Sequence, residues 1–125
     1  MPELPEIETI VRRLRKPCVG HAIKRVVIRW PRHIAQPSPR QFRTQIKGQR
    51  IQSLDRRGKY LVFTLSRDTL LIHLRMSGDL AILPADFPTT KHEHTVICLD
   101  NNYDLRFSDV RKFGKIYLVA IPEEV

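Results

Sequence analysis

Cysteine is scarce in this 125-residue chain: Cys18 and Cys98 lie far apart, and neither belongs to a C-x-x-C pair. That spacing excludes the paired-thiol pattern of zinc and redox motifs and leaves two reduced structural thiols as the expectation. No apolar run approaches the length that spans a bilayer, and no signal-peptide pattern opens the chain, so a soluble, cytoplasmic protein is expected. Internal repeats, low-complexity tracts and interior linkers are missing as well. So is any run of aromatics suited to base stacking, which leaves an RNA-binding β domain supported by charge alone. Negative charge is in deficit: 22 Lys and Arg stand against 13 Asp and Glu, for a formal net charge of +9. A composition that is 42% hydrophobic and 28% charged is that of a folded protein rather than a basic tail. The excess positive charge therefore sits on a folded surface and calls for a polyanionic partner, nucleic acid before all others.

The length suits one compact domain. Ile7, Ile10, Val11 and Leu14 recur at helical spacing within residues 5–16. Glutamates early in that segment and arginines late in it complement the helix dipole, and Pro17 and Gly20 follow as stop signals. A β-branched run over 22–30 predicts a strand, the proline-rich stretch 31–39 a loop, and 40–46 a second short helix ending near Gly48. From there short apolar runs alternate with turns: 51–54, 60–65, 70–74, 80–83, 95–99, 103–107 and 115–120. Asn101-Asn102 is a tight hairpin between two of them. The fold class is thus α+β and mainly β, an antiparallel β-sandwich flanked by an N-terminal amphipathic helix and a second short helix.

Chemistry concentrates at the N-terminus. Initiator methionine is commonly removed when proline follows, which would leave the secondary amine of Pro2 exposed. An α-amino group titrates near pH 7.7–8.0, so a useful neutral fraction exists at about pH 7, and such amines form Schiff bases. A spacer before a helix is the plainer role for a lone proline. Glu3 and Glu6 stand beside that amine as candidate acid and base, or as ordinary helix-start acids. His73 lies among apolar neighbours, as a core histidine would, and His92 and His94 would share one face of a strand without a third metal ligand.

Five segments occur in one order: Met1-Pro2-Glu3-Leu4-Pro5-Glu6-Ile7-Glu8-Thr9, Arg57-Gly58-Lys59-Tyr60, His73-Leu74-Arg75-Met76-Ser77-Gly78, Lys91-His92-Glu93-His94 and Asp109-Val110-Arg111-Lys112-Phe113-Gly114. Together they resemble the formamidopyrimidine-DNA glycosylase family, in its oxidised-purine branch, across nearly the whole chain. The resemblance implies the N-terminal catalytic domain of a bifunctional DNA glycosylase and abasic-site lyase. In that scheme Pro2 attacks C1′ of the lesion, Glu3 protonates the opening sugar and Glu6 supports the amine. Lys59 touches phosphate and assists the β-elimination, while His73 and His92 contact DNA. Met76, Arg111 and Phe113 would fill the gap left by a base turned out of the duplex, two as apolar wedges and one bonded to the orphaned partner base. The implied partner is double-stranded DNA with an oxidised base or abasic site, bound by a monomer in the bacterial cytoplasm and nucleoid.

Full-length members of that family continue into a helix-two-turn-helix region and usually a zinc finger. Neither is present in residues 1–125, so these residues are expected to form a single domain without metal or other cofactor. A non-catalytic DNA-binding domain, or an inactive fragment of such an enzyme, is the alternative. With one wall of the DNA cleft, binding rests on phosphate neutralisation: log affinity for lesion duplex falls linearly with log salt, by roughly 0.9 per phosphate contacted. Anisotropy titrations across salt concentrations measure this, and tight, salt-insensitive binding would contradict it.

Overall fold

The computed structural model describes residues 4–75 and 77–120. Helix α1 spans Leu4–Cys18 and buries Ile7, Ile10, Val11 and Leu14, the apolar stripe read from the sequence, together with Cys18. It runs slightly past the predicted end, with Pro17 inside its last turn and Val19 N–H bonded to Arg15 carbonyl at 2.9 Å. Helix α2, Pro39–Ile46, begins with a capping box in which Ser38 Oγ accepts from Gln41 N–H, and it buries Phe42 and Ile46.

Among the described residues nine strands form two sheets. In chain order they are β1 (Ile23–Ile28), β2 (Ile34–Gln36), β3 (Ile51–Arg57), β4 (Tyr60–Leu65), β5 (Thr69–His73), β6 (Gly78–Pro84), β7 (Glu93–Leu99), β8 (Tyr103–Asp109) and β9 (Lys115–Val119). The four-stranded sheet has the order β1-β7-β8-β6 and the five-stranded sheet β2-β9-β5-β4-β3. The mainly antiparallel sandwich expected from the sequence is present, with one departure. Residues 31–39 are not all loop: a 3₁₀ turn over Pro31–His33 leads into β2, which pairs parallel with β9. Ile34, buried and in register with Ile116, gives this segment an apolar anchor that its prolines hid. The Asn101-Asn102 hairpin forms as expected, with Asn102 in the left-handed region at φ 64°.

The connections place the site. Residues 29–33 lead from β1 to β2, residues 74–77 from β5 to β6, and residues 110–114 from β8 to β9. Each crosses from one sheet to the other, and strand register puts all three at the same end of the sandwich. His73 pairs with both Tyr60 and Lys115, and Gly78 pairs with Asp109. The turn from Arg57 to Tyr60 lies at this end too. Glu8 accepts from Arg56 Nε at 3.0 Å, while Arg15 bonds Leu54 carbonyl further along, so the first turns of α1 lie beside that turn.

The core between the sheets is continuous, from the α1 stripe through Phe63, Leu70, Ile72, Leu80, Leu105 and Phe107. Polar side chains are buried as well, Arg106 and His33 foremost. Arg106 on β8, 1% exposed, pairs with Asp104 at 3.1 Å and Glu93 at 3.3 Å and donates to the carbonyls of Pro84, Ala85, Phe87 and Pro88. A buried charge so fully partnered ties residues 84–88 down over the outer face of the four-stranded sheet. His33, also 1% exposed, bonds Thr95 Oγ1 through Nε2 and sets its ring edge to Phe107 at 5.1 Å.

Burial, and secondarily His94 beside it, pushes His33 from its ordinary 6.5 down to about 4. Unfolding then releases a histidine that binds a proton more readily, so stability is complete above pH 6.5 and declines as pH falls toward 4. The expected contribution is about 3 kcal/mol. Urea denaturation across this window should show the loss, and His33→Leu should flatten that part of the profile.

Candidate nucleic-acid interface

Four positions from the sequence reading meet at the crossing end. Lys59 is half-buried in the turn between β3 and β4, next to Tyr60, whose register partner is His73. Tyr60 meets the His73 ring edge-on at 4.9 Å. Burial first, then the charges of Arg75 and Lys59, lowers the pKa of His73 from the ordinary histidine value and favours the neutral ring. Its Nδ1 accepts from Arg75 N–H at 3.0 Å. A neutral imidazole that accepts at Nδ1 carries its proton on Nε2, leaving a donor suited to a phosphate oxygen. His73 is therefore half-buried, as its neighbours implied, and still equipped to face an anion. Arg111 and Phe113 project from the 110–114 crossing, both exposed, Phe113 by 50%. The Arg111 guanidinium lies 5.9 Å from the Phe113 ring centroid.

His92 is half-buried just before β7, where its carbonyl accepts from Asp109 N–H at 3.0 Å. It does not share a strand face with His94, which is buried and bonds Asp109 carbonyl through Nε2 at 2.7 Å. The register shift between Glu93 and Thr95 accounts for the difference from simple alternation. Glu6 lies exposed in the first turn of α1. Pro2, Glu3 and Met76 fall outside the described residues.

Asp109, the first residue of the last of the five segments, organises this end. Its carboxylate, 2% exposed, accepts from Ser77 Oγ at 2.5 Å and Arg111 N–H at 3.2 Å on one oxygen, and from Gly114 N–H at 2.7 Å on the other. Ser77 Oγ in turn accepts from Arg111 N–H at 3.1 Å. One side chain thus fastens two sheet crossings to each other. A short polar residue shortly before a loop glycine is the signal that could have revealed it, since aspartate commonly bonds backbone N–H groups that follow it. Gly114 is required by space: a Cβ there would lie 2.4 Å from the Phe107 ring. Arg75 and Lys112, one on each crossing, hold positive φ values of 59° and 62°. That backbone is uncommon for such residues and persists only where its surroundings over-determine it.

Among the described residues no three His, Cys, Asp or Glu side chains converge on a point that would hold a metal. Cys18 and Cys98 are buried, and burial pushes the Cys18 thiol up to about 12, far from the thiolate that zinc needs. These residues do not fit a zinc site. No described helix is long and apolar enough to cross a membrane.

Fold and site together define a two-sheet β domain with one cationic end. Residues 1–116 match the family model of the formamidopyrimidine-DNA glycosylase N-terminal domain. The chain is 49% identical over 125 residues to formamidopyrimidine-DNA glycosylase of Desulforamulus reducens, covering 98% of this chain and 45% of that protein. To the enzyme of Geobacillus kaustophilus it is 46% identical over 124 residues, 98% of this chain and 45% of that one. It is also similar to the crystal structure of the Lactococcus lactis glycosylase bound non-covalently to DNA containing an abasic site, with a TM-score of 0.90 and 37% identity over 95% of this chain and 45% of that one. The same enzyme in complex with DNA containing a formamidopyrimidine-dG lesion gives a TM-score of 0.91 at 36% identity, over 98% and 46%. The chain belongs to the formamidopyrimidine-DNA glycosylase family, through its N-terminal domain, and spans under half the length of these relatives.

Asp109→Asn replaces two accepting oxygens with one and turns an amide N–H₂ toward a donor. A loss of about 1–3 kcal/mol is expected, with faster hydrogen exchange at the Gly114 and Arg111 amides. Denaturation and exchange mass spectrometry measure the two effects, and unchanged exchange in the 110–114 crossing would contradict the role given to this carboxylate.

Proposed function

We propose that residues 1–125 form the single catalytic N-terminal domain of a DNA-repair glycosylase that excises oxidised purines, 8-oxoguanine and formamidopyrimidine among them, and then cleaves the strand at the abasic site. The observation that carries this reading is the convergence of Lys59, His73, His92, Arg111 and Phe113 at the end where α1 begins. A nucleophile at the N-terminus needs the scissile sugar, its phosphates and the vacated base stack within reach of one face. Relatives solved with abasic-site and formamidopyrimidine DNA support the same substrate class. The place of action is the cytoplasm and nucleoid of a bacterium, and the acting unit a monomer.

With Met1 removed, the lone pair of the Pro2 amine attacks C1′, and the C1′–N glycosidic bond breaks with its electron pair leaving on the base, which is protonated. Glu3 protonates the ring oxygen as the sugar opens to an iminium, and Glu6 helps keep the amine deprotonated. Loss of a C2′ proton then gives the enamine and expels the 3′ phosphate, with Lys59 assisting at that phosphate. His73 donates from Nε2 to a lesion-strand phosphate, and His92 makes a further DNA contact. Met76, Arg111 and Phe113 occupy the stack, offsetting an unstacking cost of a few kcal/mol. The reverse case is an inactive or purely DNA-binding domain.

Borohydride trapping on an abasic or 8-oxoguanine duplex tests the chemistry. Intact mass first establishes that Met1 is gone, because an amide nitrogen at Pro2 cannot form the iminium. The expected result is a covalent adduct that maps to Pro2 and disappears in Pro2→Gly. DNA binding without any adduct, unchanged in Pro2→Gly and Glu3→Gln, would establish the non-catalytic reading instead.

A further inference from the structure

Two of the three sheet crossings carry family motifs, and the third, residues 29–33, carries none. Beside it lies a cleft of about 480 Å³ lined by Arg29, Trp30, Thr89, Thr90, Lys91 and Lys112, with Glu93 and His94 behind them. The Lys112 ammonium sits 4.3 Å from the Trp30 ring centroid, and the Arg32 guanidinium 5.8 Å from it. A cation over an indole face is held by the ring quadrupole, and here that contact fixes a lysine whose own backbone lies at φ 62°.

The charge balance favours an anion. Glu93, the carboxylate in the cleft, is already bound by Arg106 at 3.3 Å on its buried side and by Arg29 at 3.6 Å on its open side. No ion pair to a carboxylate engages Lys91 or Lys112 among the described residues, and His94 is committed to Asp109 carbonyl. What remains facing solvent is two ammonium groups, two threonine hydroxyls and the partly compensated Arg29. That donor set suits a phosphate group, and the volume leaves room for the sugar attached to it. Lys112 also sits between Arg111 and Phe113, so an anion here lies next to the crossing that enters the duplex.

We propose that this cleft is a further DNA contact, which takes a backbone phosphate of the duplex flanking the lesion pair between Lys91, Lys112 and the Thr90 hydroxyl. Trp30 acts as a positioning residue that holds the Lys112 ammonium in place. The inference rests on the DNA-facing role proposed above but not on catalysis by Pro2.

Trp30 is the single tryptophan of the chain, so intrinsic fluorescence reports directly on the cleft. The test titrates the 125-residue protein with undamaged duplex DNA and, separately, with inorganic phosphate. Binding is followed both by Trp30 emission and by anisotropy of labelled duplex. Duplex is expected to change Trp30 emission saturably and in step with anisotropy. Lys91→Ala with Lys112→Ala should lower the slope of log affinity against log salt by about 1, one phosphate's share, without moving the thermal midpoint. Trp30→Leu should lower the slope by less than the double lysine variant does, and Trp30→Phe, which keeps an aromatic face, should restore it. Anisotropy that rises while Trp30 emission and the salt slope stay unchanged would overturn the cleft and leave the DNA-binding reading intact. An emission change with phosphate but none with duplex would make the cleft a small-anion site and also overturn it. Absence of any duplex binding would overturn both readings.

Discussion

The structure's working end depends on one buried carboxylate. Asp109 ends β8 in the four-stranded sheet, and its three accepted hydrogen bonds reach Ser77 on one crossing and Arg111 and Gly114 on the other. Without it, two loops with positive-φ residues and exposed side chains would have little reason to keep a common geometry. Its backbone is held equally firmly, with the N–H on His92 carbonyl and the carbonyl on His94. A charge with 2% exposure would be costly if unpaired. Here the same desolvation strengthens each of its bonds, which is how a single side chain stiffens residues from three strands.

The distribution of charge follows a similar logic. Arg106 is the largest fully buried side chain and is spent entirely on structure, on two carboxylates and four carbonyl groups. It closes residues 84–88 over the sheet and, through Glu93, backs the wall of the Trp30 cleft. The cations at the crossing end are half-buried or exposed instead, and face the side from which a polyanion would approach. A net charge of +9 thus divides into an internal fastening and an external surface.

Much of this was legible in the sequence because it was repetitive or local. The α1 stripe repeats at helical spacing, and the strands alternate between turns, so the elements appear with only shifted ends. The motif residues Lys59, Arg111 and Phe113 fell at turns and His73 at the end of an apolar run, where loops gather at strand ends. What stayed hidden depends on distant partners. Arg106 and Asp104 alternate like outward-facing strand residues, and only residues 84–88 folding over them make them core. The parallel pairing of β2 with β9 needs Ile116, some eighty positions later. The Trp30 and Lys112 contact joins two crossings that no local pattern relates, and the chemistry assigned to Pro2 came from family order rather than from any property of the proline itself.

Because every change of sheet occurs at one end, the opposite end is made of hairpins that return within their own sheet. The Asn101-Asn102 turn and residues 66–68 are such hairpins, and neither belongs to a crossing. The molecule is therefore polarised in its connections: the changes of sheet gather at one end, while at the other the layers are tied by backbone bonds between residues 20–23 and 48–51. A surface tether or a reporter dye attached at the exposed Asn102 would lie far from the crossings. That offers a way to present this domain to DNA in one chosen orientation.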